Sequence, residues 1–469
     1  MNDTNNSKGF NPVYVIAAAV TIGLSLFLLT THKPILAVAP GLGLVFFFLV
    51  SRNLELGYMA IIFSLPFAAY RNIGGLEYLR LHWILAFCIV FFLAIRLLTD
   101  KQEKLGLSSK LWIWLMPYLA LSLVVSMYSA YPKAAMKTVI LQAVAYLFIG
   151  LGMILVTRKG FKRILPNVII ASISTGSFLA ALGFFFNISW FAEKVGGGGF
   201  KRGLGATTDP NSLSLMILFV MPFLARMLVK NKRTSIRLLA LLLICVNLLG
   251  LVTTYSRGGM LLLVLLSTGI AFTYASLLSA RYLGLILALA GFLVVGAISV
   301  IPSSYWERQA SLVSFGQKDR SLKRRASYLI VGWERFLASP VFGSGPGVFK
   351  KYYAANPIAD KMVRSGHDRE RPAHNTYLEV LVGGGLMSLS LFLGALIQGL
   401  RNYNRAIRNF IANKNNDMAM ITKTYRLSYL VLLFFLLLFS DLFQKYLLVT
   451  LAMSQVALNL SLENHEGVK

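Results

Sequence analysis

The chain has 469 residues, 57% of them hydrophobic and only 14% charged, and carries a net charge of +28. Soluble domains run nearer half apolar and a quarter charged, so the balance argues against a water-soluble protein and for one embedded in lipid. The positive excess reads as orientation signal and attraction to anionic lipid, because no nucleic-acid-binding module is visible.

Apolar runs of roughly 17–25 residues recur along the chain, each long enough to cross a hydrocarbon core as a helix. They are continuously apolar rather than alternating, which predicts helices and not a β-barrel. The expected spans lie near 13–31, 34–50, 54–70, 79–98, 111–128, 135–156, 163–187, 211–229, 237–254, 258–278, 283–301, 376–400, 426–441 and 443–460. That is about 12–14 spans in an all-α polytopic bundle, since the close pairs at each end can merge. The first run follows a polar start without a clean small-residue cleavage site and reads as a retained helix. Cys88 and Cys245 both fall inside apolar runs and read as packing residues, not a disulfide. Three regions follow: an N-terminal transmembrane bundle over 1–301, one large external loop over 302–375, and C-terminal helices over 376–469.

Short basic connectors set the orientation. They are the stretch from Arg96 to Lys110, "TRKGFKR" at 157–163, "KNKRTSIR" at 230–237 and the stretch from Arg401 to Arg426. With these spans all four fall on one face, so both termini are expected in the cytoplasm. The opposite face receives the turn at Arg71–Arg80, the glycine-rich "EKVGGGGFKRGLGATTDPN", the "TTYSRGG" turn and the segment from Pro302 to Asn375. That last segment is basic although it is too long for the positive-inside rule to require it, which points to an anionic ligand.

Four features gather on that face. Arg80 stands where "LEYLRLHW" enters a span, and Arg202 stands in "GFKRG" ahead of "DPN", where Asp209 can cap a helix beginning at Pro210 and running through Asn211. Arg257 stands in "YSRGG", and His374 in "AHNTYLE", with Asn375 or Thr376 as the cap of the next helix. Guanidinium groups stay charged and bond phosphate in bidentate fashion, so arginines at the bilayer surface suit a lipid-linked diphosphate. A histidine at a helix N-terminus is favoured as the neutral imidazole, the form that accepts a proton near pH 7. The plainer alternatives are arginines anchoring in headgroups and a structural histidine. "GSGPGVF" lacks the lysine of a phosphate-binding loop and reads as a turn. His367, Asp368, Glu370 and His374 fit no zinc spacing, so no metal site is expected.

The series "DPN", "SRGG", "SPVFGSGPGVF" and "HNTYLEVLVGGGLMSLSLFL" resembles the O-antigen ligase superfamily of bacterial inner-membrane glycosyltransferases, ligases and polymerases alike. The resemblance is strongest from about residue 200 to 400. It implies a multi-pass inner-membrane enzyme, with its active face in the periplasm, that moves a glycan from undecaprenyl diphosphate to an acceptor hydroxyl. No cofactor or metal is implied. The partners implied are the undecaprenyl-diphosphate-linked glycan, a glycan or lipid A-core acceptor, and membrane lipid. By the same resemblance His374 is the base on the acceptor, and Arg257, Arg202, Arg80 and Arg325 hold the diphosphate, with Arg324 competing for the role of Arg325. Asp209, Asn211 and Asn375 support the site, and Glu379 stands where it can orient the imidazole. A ligase, with lipid A-core as acceptor, is the leading expectation and a polymerase the alternative. A lipid-linked-sugar transporter is the rival from another class. It would place polar groups at mid-membrane depth, where Asp441 is the main candidate.

Overall fold

The computed structural model describes residues 47–67, 81–99, 107–194, 201–274, 320–362 and 369–466, with the single residues 43 and 305. Expected spans 13–31 and 283–301 lie outside the described residues, as does 34–50 apart from 43 and 47–50. The chain divides into two compact units. Among the described residues the smaller holds 47–61 and 81–99, and the larger holds 62–67 and everything from 107 onward.

The described helices, in chain order, are α1 (Leu54–Ser64), α2 (Leu81–Thr99), α3 (Trp112–Met127), α4 (Pro132–Leu155), α5 (Leu165–Phe185), α6 (Pro210–Lys230), α7 (Thr234–Thr253) and α8 (Arg257–Tyr274). They continue with α9 (Arg320–Ala338), α10 (Phe349–Ala355), α11 (Pro357–Met362), α12 (Thr376–Ala412), α13 (Asn416–Phe435) and α14 (Lys445–Glu466). One small antiparallel hairpin, β1 (Ala192–Lys194) with β2 (Lys201–Gly203), precedes α6. Eight of the described helices are long and apolar enough to cross a membrane: α4, α5 with its preceding turn from Gly160, α6, α7, α8, α12, α13 and α14. The protein is an all-α, multi-pass membrane protein. Cys88 and Cys245 are free.

Asparagine and aspartate set three helix starts. Asp209, Asn375 and Asn415 each accept the backbone N–H three residues on, from Ser212 at 2.8 Å, Leu378 at 3.0 Å and Met418 at 3.2 Å. In the larger unit α12 packs against α3, α13 and α14, and α14 also packs against α4, while α6 packs against α5, α7, α8 and α13. Chain ends and chain middle are thus interleaved.

Polar side chains inside the bundle bond across helices, as a water-free interior demands. Asn247 of α7 holds Ser174 and Ser177 of α5 at 2.8 Å each, and Tyr429 Oη donates to Leu396 O at 2.8 Å. Around Pro222, which cannot donate to the helical ladder, Phe219 O accepts from Ser428 Oγ at 2.9 Å and Pro222 O from Tyr274 Oη at 3.2 Å.

Two expected boundaries shift. The basic stretch from Arg401 to Arg426 is not a loop: α12 runs on to Ala412 and α13 starts at Asn416, leaving Asn413–Asn415 as the turn. The second change is a break inside α12, where Gly384 (φ −139°) and Gly385 (φ 63°, ψ −161°) leave the helical region. The "GSGPGVF" turn is stitched to that break. Ser344 N donates to Val382 O at 2.9 Å, Gly345 N to Gly383 O at 2.8 Å, and Leu386 N to Pro340 O at 2.9 Å. Gly385 is required twice over, because its backbone geometry is essentially glycine-only and an added Cβ would strike Val341 O. Gly385→Ala is expected to cost at least about 1–3 kcal/mol from backbone strain alone. It should lower the melting temperature of the detergent-solubilised protein, measured by size-exclusion recovery after heating, well beyond Gly43→Ala, whose added Cβ meets nothing within 4 Å.

Candidate active site

The site is built where four connectors meet: the β1–β2 hairpin with the cap of α6, the turn between α7 and α8, the segment from α9 to the start of α12, and the linker between α13 and α14. Arg202 on β2 faces Glu193 on β1, their register partners, with a long ion pair of 3.8 Å. Its Nε donates to Thr254 O at 2.8 Å and its Nη2 to Asn211 Oδ1 at 3.1 Å, while Asn211 Nδ2 donates to Asp209 Oδ1 at 3.2 Å. Arg202 is thereby strapped to both the "DPN" cap and the "TTYSRGG" turn. Burial lowers its pKa, and Asp209 and Glu193 oppose that shift.

The "TTYSRGG" turn is tight. Tyr255 takes φ 52°, and Ser256 Oγ accepts from Gly259 N at 3.2 Å and from Ser214 Oγ of α6 at 3.2 Å. Arg257, half-buried, is the first residue of α8. Its neighbour Gly258 abuts the α13–α14 linker, where a Cβ would lie 3.2 Å from Leu438 and 3.7 Å from Phe439.

That linker also holds His374. Thr376 N donates to Leu436 O at 2.8 Å, Thr376 Oγ1 to Phe439 O at 2.7 Å, and Asn375 N to Ser440 Oγ at 3.2 Å. His374 takes φ 51°, a conformation few non-glycine residues adopt, so its backbone is held there by these neighbours. Its ring lies 5.6 Å from Tyr328 of α9 and 6.4 Å, edge-on, from Phe439, while the Arg325 guanidinium sits 5.7 Å over the same Phe439 ring. Burial pulls the imidazole pKa from 6.5 down to about 4. Arg325 pushes the same way, as do Arg324 and Arg371, and Asp209 opposes them. The imidazole is therefore neutral at pH 7, held so by burial and by the cations around it.

The structure bonds Arg202 to Asn211 and Asn211 to Asp209, and sets Arg325 over the Phe439 ring that His374 meets, with Asn375 next in the chain. Arg257 opens α8 beside Gly258, which abuts the same linker. Arg80, His367 and Asp368 lie outside the described residues. Glu379 stands differently from its expected place: its Oε1 accepts the Ala373 N–H at 2.9 Å, so it fixes the backbone ahead of His374 and not the ring. Glu370 pairs with Lys350 and Lys351. Beneath the His374 turn lies a cavity of 210 Å³ whose lining includes Glu379, Asp441, Ser388, Ser440 and Thr138. Asp441 is in the linker, its N–H donating to Thr376 Oγ1 at 3.0 Å, and burial raises its carboxyl pKa to about 6. It sits with the His374 turn, away from mid-membrane depth.

Tyr328, Phe439 and Arg371 join the site without having been singled out. Arg371 Nε is buried with no hydrogen-bond partner among the described residues. Tyr328 and Phe439 carried no sequence signal, since an aromatic in an apolar run is ordinarily core.

Residues 238–393 match the family described as O-antigen ligase. The match covers about a third of the chain and supports a place for it in the O-antigen ligase and polymerase superfamily. The matched stretch takes in Arg257, Arg325, His374, Asn375 and Glu379, and leaves Arg80, Arg202, Asp209 and Asn211 outside it. Comparison with curated proteins finds no match. The O-antigen ligase family is one of membrane glycosyltransferases of ligase and polymerase type, which take lipid-linked glycan and acceptor substrates.

The His374 titration is directly testable, because the chain has only five histidines. With 13C-labelled imidazoles, the signal lost in His374→Gln is expected to titrate near 4. In Arg325→Gln the same signal should titrate higher, since a cation that disfavours imidazolium has been removed. A midpoint near 6.5 in the parent protein would mean a solvent-exposed ring.

Proposed function

We propose that the chain transfers a glycan from undecaprenyl diphosphate to an acceptor hydroxyl at the periplasmic face of the bacterial inner membrane, with both termini in the cytoplasm. The observation that carries this reading is a buried histidine held by Tyr328 and Phe439, with Arg325 over the same Phe439 ring, where the connectors meet. His374 takes the proton from the acceptor hydroxyl as its oxygen bonds the anomeric carbon. The bond from that carbon to the phosphate oxygen breaks, and the electron pair leaves with the diphosphate. The departing group gains one negative charge, which Arg257, Arg202 and Arg325 stabilise. One displacement inverts the anomeric centre. The reaction so written needs no metal, in keeping with the resemblance.

Asn211 and Asp209 fix the Arg202 guanidinium, and Asn375 and Glu379 fix the turn that carries His374. The proposed acceptor is lipid A-core, which makes the protein an O-antigen ligase. A polymerase uses the same bond changes, with a second lipid-linked glycan as the acceptor.

In cells lacking the chromosomal copy, His374→Ala at matched protein level is expected to slow transfer by about 10²–10⁴-fold, the usual contribution of a positioned general base. Long undecaprenyl-linked polymer above a bare acceptor identifies a ligase, and accumulation of single repeat units identifies a polymerase. Glycan pools equal to wild type would sink the assignment of His374 and favour a transporter.

The pH profile provides a second check. In the free enzyme the base limb of kcat/KM is expected near pH 4. A bound diphosphate adds negative charge beside the imidazole and raises its pKa, so the limb in kcat should lie at higher pH. Coincident limbs would place the diphosphate away from His374.

A further inference from the structure

We propose that α9 lies on the membrane surface with its outward face in the headgroup and acyl boundary, so that the external segment is itself a lipid-binding element. This rests on the membrane-spanning architecture and not on the transfer chemistry.

The helix is apolar on two opposite sides. Ser327, Tyr328, Val331, Gly332 and Phe336 form the buried side, with Tyr328 and Val331 packed among Phe349, Tyr353, Leu378 and Val382. At 100° per residue, Leu329, Ile330, Trp333 and Leu337 fall on the reverse side, and each is more than half exposed. Amphipathic helices of soluble domains place charged residues there. An apolar stripe left in water is a liability, and one rimmed by polar groups marks an interaction surface.

Two observations point to lipid. The stripe is continuous with the outer surface of a membrane-spanning helix. Past the end of α9, exposed Val341 and Phe342 follow, and Pro340 O and Val341 O accept from the backbone of Leu386 and Met387 at 2.9 and 3.3 Å. Leu386 and Met387 are themselves exposed on α12, facing what must be acyl chains. Charge agrees: Lys323, Arg324 and Arg325 occupy the first turns of α9, complementary to anionic headgroups. Trp333 at the centre of the stripe suits the interface, where its ring meets both hydrocarbon and polar groups. Seated in this way, α9 holds Arg324 and Arg325 at the depth where lipid phosphates lie.

The test uses the full chain with Cys88 and Cys245 replaced by alanine, reconstituted in nanodiscs of phosphatidylethanolamine and phosphatidylglycerol. Spin labels are placed singly at Ile330→Cys, Trp333→Cys and Leu337→Cys, all outside the packed side of the helix. Val264→Cys on exposed α8 surface and Lys232→Cys in the α6–α7 turn serve as hydrocarbon and water references. The expected result is collision with oxygen several-fold above collision with a water-soluble nickel chelate, between the two references. Nickel collision matching Lys232→Cys would overturn the proposal by placing the face in water. So would labels reached by neither reagent, which would mean that protein or a second copy covers it. In the unlabelled chain, lipids brominated near the headgroup should quench the fluorescence component lost in Trp333→Phe, and no such component would also overturn it.

Discussion

A helix in hydrocarbon pairs its own backbone N–H and C=O groups, so the backbone of a second segment can pair with it only where that ladder breaks. Helix α12 breaks at Gly384 and Gly385, and the segment 340–345 takes the bonding positions that the break exposes. Much of the site follows from that splice. It anchors the C-terminal end of α9, and α9 carries Tyr328 and Arg325 to the turn that holds His374. Arg335 Nε, donating to Ser344 Oγ at 2.8 Å, ties α9 to the splice again from its own side chain. A loop attached only through its chain ends would leave three arginines free to spread apart; one stitched into a transmembrane helix cannot.

The α13–α14 linker plays the complementary part. It bonds the His374 turn through Thr376 and Asn375, presents Phe439 to both His374 and Arg325, and touches the "YSRGG" turn through Leu438. The "DPN" cap then connects to that turn through Arg202 and Thr254. Segments 52 to 65 residues apart are thus joined by short hydrogen bonds, and Arg325 reaches the Phe439 ring from further along the chain. Such contacts are costly to leave unmade in a low-dielectric setting, which favours one arrangement over a spread of them.

Much of this was legible in the sequence because membrane physics writes in long, simple patterns. Helix positions between 111 and 274 and at the last span follow from apolar runs, and Asp209 and Asn375 announce their helix starts by residue type. What stayed hidden depends on chain segments meeting. The glycine run at 383–385 reads as a permissive helix start, and only its bonds to 340–345 reveal a break. Basic residues at 401–412 suggested a loop, yet the tail of a helix leaving the membrane carries charge just as readily, so the pattern cannot separate the two. Glu379 was placed one turn from His374 correctly, but reach alone does not say that it bonds the Ala373 N–H in preference to the ring.

Burial, and after it the cations around His374, weaken it as a base in the free protein, because a pKa near 4 binds protons poorly. Read against the proposed chemistry this is a property of the unliganded state alone. Arg325, which helps to depress the imidazole, is also assigned to the diphosphate, and an anion placed beside it offsets part of the field that disfavours imidazolium. The base then strengthens when the donor is bound, and it weakens again once the diphosphate leaves, which drives the proton off the ring. Asp441, buried beneath the turn with a carboxyl raised to about 6, stands within the same electrostatic neighbourhood through Glu379 and Asp209. One set of charges thereby couples donor occupancy to proton affinity, without requiring any movement of the backbone that the splice and the linker hold in place.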